Sequence, residues 1–126
     1  MNELKILLTN DRAQFRPGET LTGVAGWRLT AAPRSVDLRL FWYTRGKGTE
    51  DLGLVHRLTF QEPQAEEGRR FEFVLPDQPY SFSGQLISLV WALELIVEPG
   101  QQTVRTEFTL SPKGEEIVLH ADARTR

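Results

Sequence analysis

The strictest constraint on this chain is its period. Apolar and polar side chains alternate one for one along most of it. Successive side chains of an extended backbone point to opposite faces, so this alternation predicts strands with one buried face. Leu4, Ile6 and Leu8 alternate with Glu3, Lys5 and Leu7. Leu21, Gly23, Ala25, Trp27 and Leu29 share a second face, against Thr20, Thr22 and Arg28. The third run is the clearest, with Val36, Leu38, Leu40 and Trp42 on one side and Asp37, Arg39, Phe41 and Tyr43 on the other. Leu52, Leu54, Leu58 and Phe60, with His56 in phase, predict a fourth strand, and Phe71, Phe73 and Leu75 a fifth. Residues 88–98 form a sixth, with Leu89, Trp91, Leu93, Leu95 and Val97 inward. A seventh puts Val104, Thr106, Phe108 and Leu110 inward and Arg105, Glu107 and Thr109 outward.

Turn chemistry separates these runs. Arg16-Pro17-Gly18-Glu19 joins a fixed proline φ to a glycine that tolerates positive φ. Ala31 to Arg34, Arg45-Gly46-Lys47-Gly48, the polar connector Pro63 to Gly68, and Glu98-Pro99-Gly100-Gln101 are further breaks. Pro76 to Gly84 has no strand pattern and is long enough to cross from one sheet to another. Seven strands at this spacing predict an all-β, immunoglobulin-like two-sheet antiparallel β-sandwich of about seven to eight strands. The expected core is Trp27, Leu38, Leu40, Trp42, Phe71, Phe73, Trp91, Leu93, Leu95 and Phe108. Gly18 is expected in a turn closed to alanine, and Gly23 at a bulge or a tight packing point. The sandwich is expected over residues 1–110. Residues 111–126 read as a C-terminal segment in which Ile117-Val118-Leu119 predicts a short edge strand at 116–120, added to the chain's own sheet or to that of a second copy.

At 126 residues, a single hydrophobic core can form without a metal or a disulfide, and the chain contains no cysteine to make one. The net charge of −2 comes from scattered residues and argues against nucleic acid as a partner. The apolar start, Leu4 to Leu8, is too short for a signal peptide, and no segment has the apolar length of a membrane span, so a cytoplasmic protein is expected. Catalytic patterns are missing. His56 lies in phase with a buried face and His120 in a polar tail, without metal-ligand spacing. Ser81-Phe82-Ser83-Gly84 lacks the preceding glycine and the helix of a nucleophile elbow. Gly46-Lys47-Gly48 is too short to cradle phosphate, and Glu66-Glu67 and Glu115-Glu116 read as solvated charges. No catalytic residue, metal or cofactor is expected.

Three segments, in order, resemble the arrestin-like superfamily. Phe15-Arg16-Pro17-Gly18-Glu19-Thr20-Leu21-Thr22-Gly23-Val24 resembles its opening turn and strand. Val36-Asp37-Leu38-Arg39-Leu40-Phe41-Trp42-Tyr43 matches its next alternating strand. Phe73-Val74-Leu75-Pro76, then Pro79-Tyr80-Ser81-Phe82-Ser83-Gly84 and Ser88-Leu89-Val90-Trp91-Ala92-Leu93-Glu94-Leu95, resemble its Leu-Pro, Pro-Ser-Phe and Trp-bearing segments. The resemblance spans about residues 1–110 and implies a single arrestin-type sandwich where arrestins usually carry two. Pro76-Asp77-Gln78-Pro79-Tyr80 is not the Pro-Pro-x-Tyr motif of the trafficking members.

The resemblance implies a non-catalytic protein-interaction or scaffold domain with a protein partner, and the C-terminal edge strand makes a homo-oligomer through edge strands a further expected assembly. The alternative is a carbohydrate- or small-ligand-binding module that would use Phe41, Tyr43, Tyr80 and Phe82 as exposed rings. Arg39, Phe41 and Tyr43 form the expected recognition face, because arginine and aromatic residues dominate binding hot spots.

Overall fold

The computed structural model describes residues 2–46, 50–84, 86–113 and 117–118. The alternating segments become β1 (Glu3–Leu8), β2 (Gln14–Phe15), β3 (Thr20–Arg28), β4 (Ser35–Gly46), β5 (Leu52–Thr59), β6 (Glu66–Val74), β7 (Phe82–Ser83), β8 (Ile87–Glu98), β9 (Gln102–Leu110) and β10 (Ile117–Val118). They form two sheets. The small one has the order β1-β3-β6, and the large one runs β10-β7-β8-β4-β5, with β9 on β8 and β2 on β9. The segment from β6 to β8 carries the chain from the small sheet to the large one, as the patternless Pro76 to Gly84 stretch predicted.

The core lies between the inward faces. Leu21, Ala25, Trp27, Phe71 and Phe73 of the small sheet meet Leu38, Leu40, Trp91, Leu93, Leu95 and Phe108 of the large one. Nine of the ten expected core residues are buried; Trp42 is partly buried and packs against the cluster. Both deep indoles keep a polar partner, as buried indoles must. Trp27 Nε1 donates to the Gln64 carbonyl and Trp91 Nε1 to the Pro79 carbonyl, each at 2.7 Å. Phe15, on the two-residue β2, meets Phe108 edge to face at 5.6 Å.

The Arg16-Pro17-Gly18-Glu19 turn forms with Gly18 at φ +82°. Glu19 N–H donates to the Arg16 carbonyl at 3.1 Å. The Glu19 carboxylate accepts from Arg16 N–H at 2.6 Å and pairs with Arg12. These contacts, the backbone bond first, hold the Glu19 pKa below its usual value. Gly23 is a tight packing point: an added Cβ would stand 2.3 Å from the Leu7 carbonyl and 2.8 Å from the Phe71 ring.

Three expectations need correction. β6 begins at Glu66, so Pro63 to Gly68 is only partly a connector, and Glu66 and Glu67 sit on a strand. β4 runs through Gly46, so the expected Arg45-Gly46 break is still strand; Lys47, Gly48 and Thr49 lie outside the described residues. The third correction concerns the fourth strand. Its register against β4 shifts between Leu40 and Phe41, with Val55 as the extra residue. Before that bulge the alternation changes sides: His56 and Leu58 pair with the inward Leu40 and Leu38, but Leu54 and Leu52 pair with the outward Phe41 and Tyr43. Leu52 and Leu54 are therefore 65% and 55% exposed, not core. His56 is exposed at the rim of the sandwich, with its ring 5.5 Å from that of Phe73.

In the C-terminal segment, Ile117 and Val118 pair in parallel with Phe82 and Ser83, on the chain's own sheet. Glu116, Leu119 and His120 lie outside the described residues.

Candidate interaction face

The outer face of the large sheet follows from its registers. From Asp37 to Phe41, each residue that β4 turns outward has a neighbour on β5 and another on β8, which in turn faces one on β9. One row reads Arg57, Arg39, Glu94, Arg105; the next reads Leu54, Phe41, Ala92, Glu107; a third reads Leu52, Tyr43 and Val90. Arg39, Phe41 and Tyr43, at alternate positions of the strand, thus meet charged and apolar residues distant in sequence.

Two expectations about this face differ from what is observed. Phe41 points outward but is only 3% exposed. The Arg105 guanidinium lies over it, 5.0 Å from the ring centroid and the same distance from that of Tyr43. A strand-borne cation thus covers the ring expected to be exposed. Tyr43, partly buried, stands 6.0 Å from Phe41, centroid to centroid. Its hydroxyl donates to Glu107 Oε2 at 2.5 Å, and Arg45 Nη2 reaches the same oxygen at 2.6 Å. The Tyr43 hydroxyl and the Glu107 carboxylate raise the Arg45 pKa above its already high value. Arg105 also donates to Glu94 at 3.3 Å. Each guanidinium–ring contact contributes about 0.5–1 kcal/mol at such a site, and together they fix long side chains that would otherwise be free.

The second charged group lies nearer β5. Arg57 Nε and Nη2 donate to Asp37 Oδ2 at 3.1 and 2.5 Å. Asp37 is 7% exposed, while the Arg57 side chain is 54% exposed. Asp37 Oδ1 and Arg39 Nε are buried without a hydrogen-bond partner among the described residues. An open hollow of about 560 Å³ lies at the start of β5, bounded by Tyr43, Arg45, Glu50, Asp51, Leu52 and Arg105.

The residues weighed for catalysis have structural roles. Ser81 is 2% exposed, and its Oγ accepts from Leu110 N–H at 2.9 Å, tying the crossover to β9. Glu67 bonds Arg69 at 2.5 Å. Among the described residues no group of three or more acidic, histidine or cysteine side chains could hold a metal ion. His120 and Glu115-Glu116 lie outside the described residues. Among the described residues no helix is long and apolar enough to cross a membrane.

No protein-family model matches the chain, and no curated protein matches it. Solved structures do. The sporulation control protein Spo0M of Bacillus subtilis aligns with a TM-score of 0.63 at 16% identity, over 87% of this chain and 49% of Spo0M. This chain thus spans about half the length of that protein. The Pseudomonas fluorescens alkylpurine DNA glycosylase AlkC, bound to DNA with an abasic site analog, aligns at a TM-score of 0.47 and 16% identity, over 86% of this chain and 30% of that one. A β-glucosidase from Listeria innocua gives 0.45 and 16%, over 93% of this chain and 16% of that one. At such identities the likeness speaks to fold and not to activity. The fold is a two-sheet β-sandwich, shared with that part of Spo0M.

Proposed function

We propose that this chain is a non-catalytic protein-interaction domain, a scaffold or adaptor of arrestin-like type, which binds through the outer face of β5, β4, β8 and β9. One observation carries the reading: Leu52, Leu54 and Val55 are 65%, 55% and 40% exposed, beside a pre-ordered cluster of Tyr43, Arg45, Arg105 and Glu107. Clustered apolar exposure next to fixed arginine and tyrosine side chains is a common form of protein-binding surface. Side chains already held in place lose less freedom on binding. Burying the exposed share of both leucines contributes about 2–4 kcal/mol. In this reading Tyr43 is a direct contact, Arg39 flanks it, and Phe41 supports Arg105 from below. The absence of cysteine suits a cytoplasmic setting.

The carbohydrate or small-ligand alternative calls for open aromatic platforms. It is less well supported, because Phe41 lies under Arg105 and the Tyr43 hydroxyl is engaged by Glu107. The test is affinity capture from the native host, read by mass spectrometry, with wild type and a Leu52→Ser/Leu54→Ser double variant of matching melting temperature. Loss of a defined set of partners from the variant is expected. Recovery of the same partners in the same amounts would move the site away from this face.

A further inference from the structure

Among the described residues β5 is an edge: it pairs with β4 and with no other strand. Its free side offers backbone donors and acceptors to a further strand. The sequence along this edge is Glu50-Asp51-Leu52-Gly53-Leu54-Val55-His56-Arg57-Leu58-Thr59. It is acidic where it begins, apolar in the middle and basic toward its end. A strand with this polarity is complementary to itself when reversed, because a two-fold axis lays the acidic start of one copy against the basic end of the other. Glu50, Asp51, His56 and Arg57 are all exposed.

We propose that two copies of this chain associate through antiparallel pairing of their β5 edges, joining the two large sheets into one. The surface is the one named under Proposed function, and the inference rests on that reading while naming a second copy as an occupant. Side-chain facing and charge together select the register. Leu52, Leu54, Arg57 and Thr59 turn outward, and Gly53, His56 and Leu58 inward. Pairing outward with outward and inward with inward leaves an axis between Leu54 and Val55 or between Val55 and His56, and only the first brings the acidic start of one copy beside Arg57 of the other. Leu52 then faces Arg57 of the second copy, and Gly53 faces His56 of the second copy. Leu54 packs against Val55 of the second copy. Glu50 lies diagonal to Arg57 of the second copy, within reach of two long side chains. By symmetry every contact occurs twice, as in the commonest closed assembly of identical chains. The interface removes from water the three most exposed apolar side chains of the strand, Leu52, Leu54 and Val55.

Sedimentation equilibrium over a concentration series tests this, with wild type, Leu54→Lys and Glu50→Lys. Circular dichroism melts on the same samples check the fold. These side chains point into solvent, so each monomer is expected to melt as wild type does. Wild type is expected to shift from monomer to dimer between about 10 μM and 1 mM, the range of a small edge interface. Leu54→Lys sets two ammonium groups beside the axis and is expected to weaken association at least ~10-fold. Glu50→Lys places like charge near Arg57 twice over, for a loss of about 3- to 10-fold that shrinks as salt is raised. A wild type that stays monomeric to 1 mM overturns the proposal, as does a dimer that Leu54→Lys leaves unchanged. If wild type is monomeric and the Leu52→Ser/Leu54→Ser variant still loses its partners, the self-association fails while the interaction face stands, and the edge belongs to another protein's strand.

Discussion

β5 and β6 are outer strands of the two sheets, and they solve the same problem in opposite ways. Among the described residues each pairs with one neighbouring strand and leaves one side of its backbone open. β6 carries Glu66, Glu67, Arg69, Arg70 and Glu72 among its nine residues, and the first three of these are engaged locally. Arg69 bonds Glu67 at 2.5 Å and also reaches the Gln61 carbonyl, while Glu66 pairs with Arg28 at 3.4 Å. An incoming strand would have to desolvate all of this, which is how natural sheets discourage edge pairing. β5 carries one formal charge, Arg57, and exposes Leu52, Leu54 and Val55. The difference teaches that an edge strand's openness is set by side chains and not by its hydrogen-bonding position. β6 reads as protected, and β5 as kept available.

Glycine substitutions sharpen the contrast most strongly. On β5, Gly53 faces Trp42, and a Cβ there would stand 2.2–2.4 Å from three indole atoms. Gly53→Ala must displace that ring from the rim of the core, so a loss of about 1–3 kcal/mol is expected in urea unfolding. On β6, a Cβ at Gly68 would meet only Val24, at an ordinary 3.6 Å. Gly68→Ala is expected to be neutral or to stabilise by up to about 1 kcal/mol, since alanine restricts the unfolded chain. Equal losses at both positions would remove this distinction between the strands.

A smaller effect is expected in acid. The Glu67 pKa is lowered, first by the hydrogen bond from Arg69 and then by that from Gln64 N–H. A carboxylate whose pKa falls on folding stabilises the fold above its unfolded value, here 4.5, and loses that contribution as pH drops through the folded value. Amide exchange at Gln64 and along the start of β6 should therefore rise below about pH 4. Glu67→Gln should flatten that response. An unchanged pH profile in Glu67→Gln would assign the acid sensitivity to another group.

The strands that hold this contrast were legible in unequal measure. β3, β4, β6, β8 and β9 follow the alternation because each has a neighbour or a core to face, and most of their inward residues are buried. β5 broke the reading because one extra residue, Val55, reverses which side its leucines face, and apolar character alone does not record a bulge. The cue was present in Gly53, a strand glycine beside exposed-facing leucines, which marks close approach of a neighbour. β2, β7 and β10 are two residues each and too short to carry a period. On the candidate face, the outward direction of Arg39, Phe41, Tyr43, Arg105 and Glu107 followed from local alternation. That Arg105 would cover Phe41 did not, because it depends on strand order and register between residues 64 positions apart.

The most direct test of the account compares amide hydrogen exchange on the two edges as protein concentration rises from about 10 μM to 1 mM. Protection across Leu52–Thr59 is predicted to increase with concentration while that across Glu66–Val74 stays constant. Exchange on β5 that ignores concentration, or that slows in step with β6, would contradict the claim that this sandwich keeps one edge open for association and closes the other.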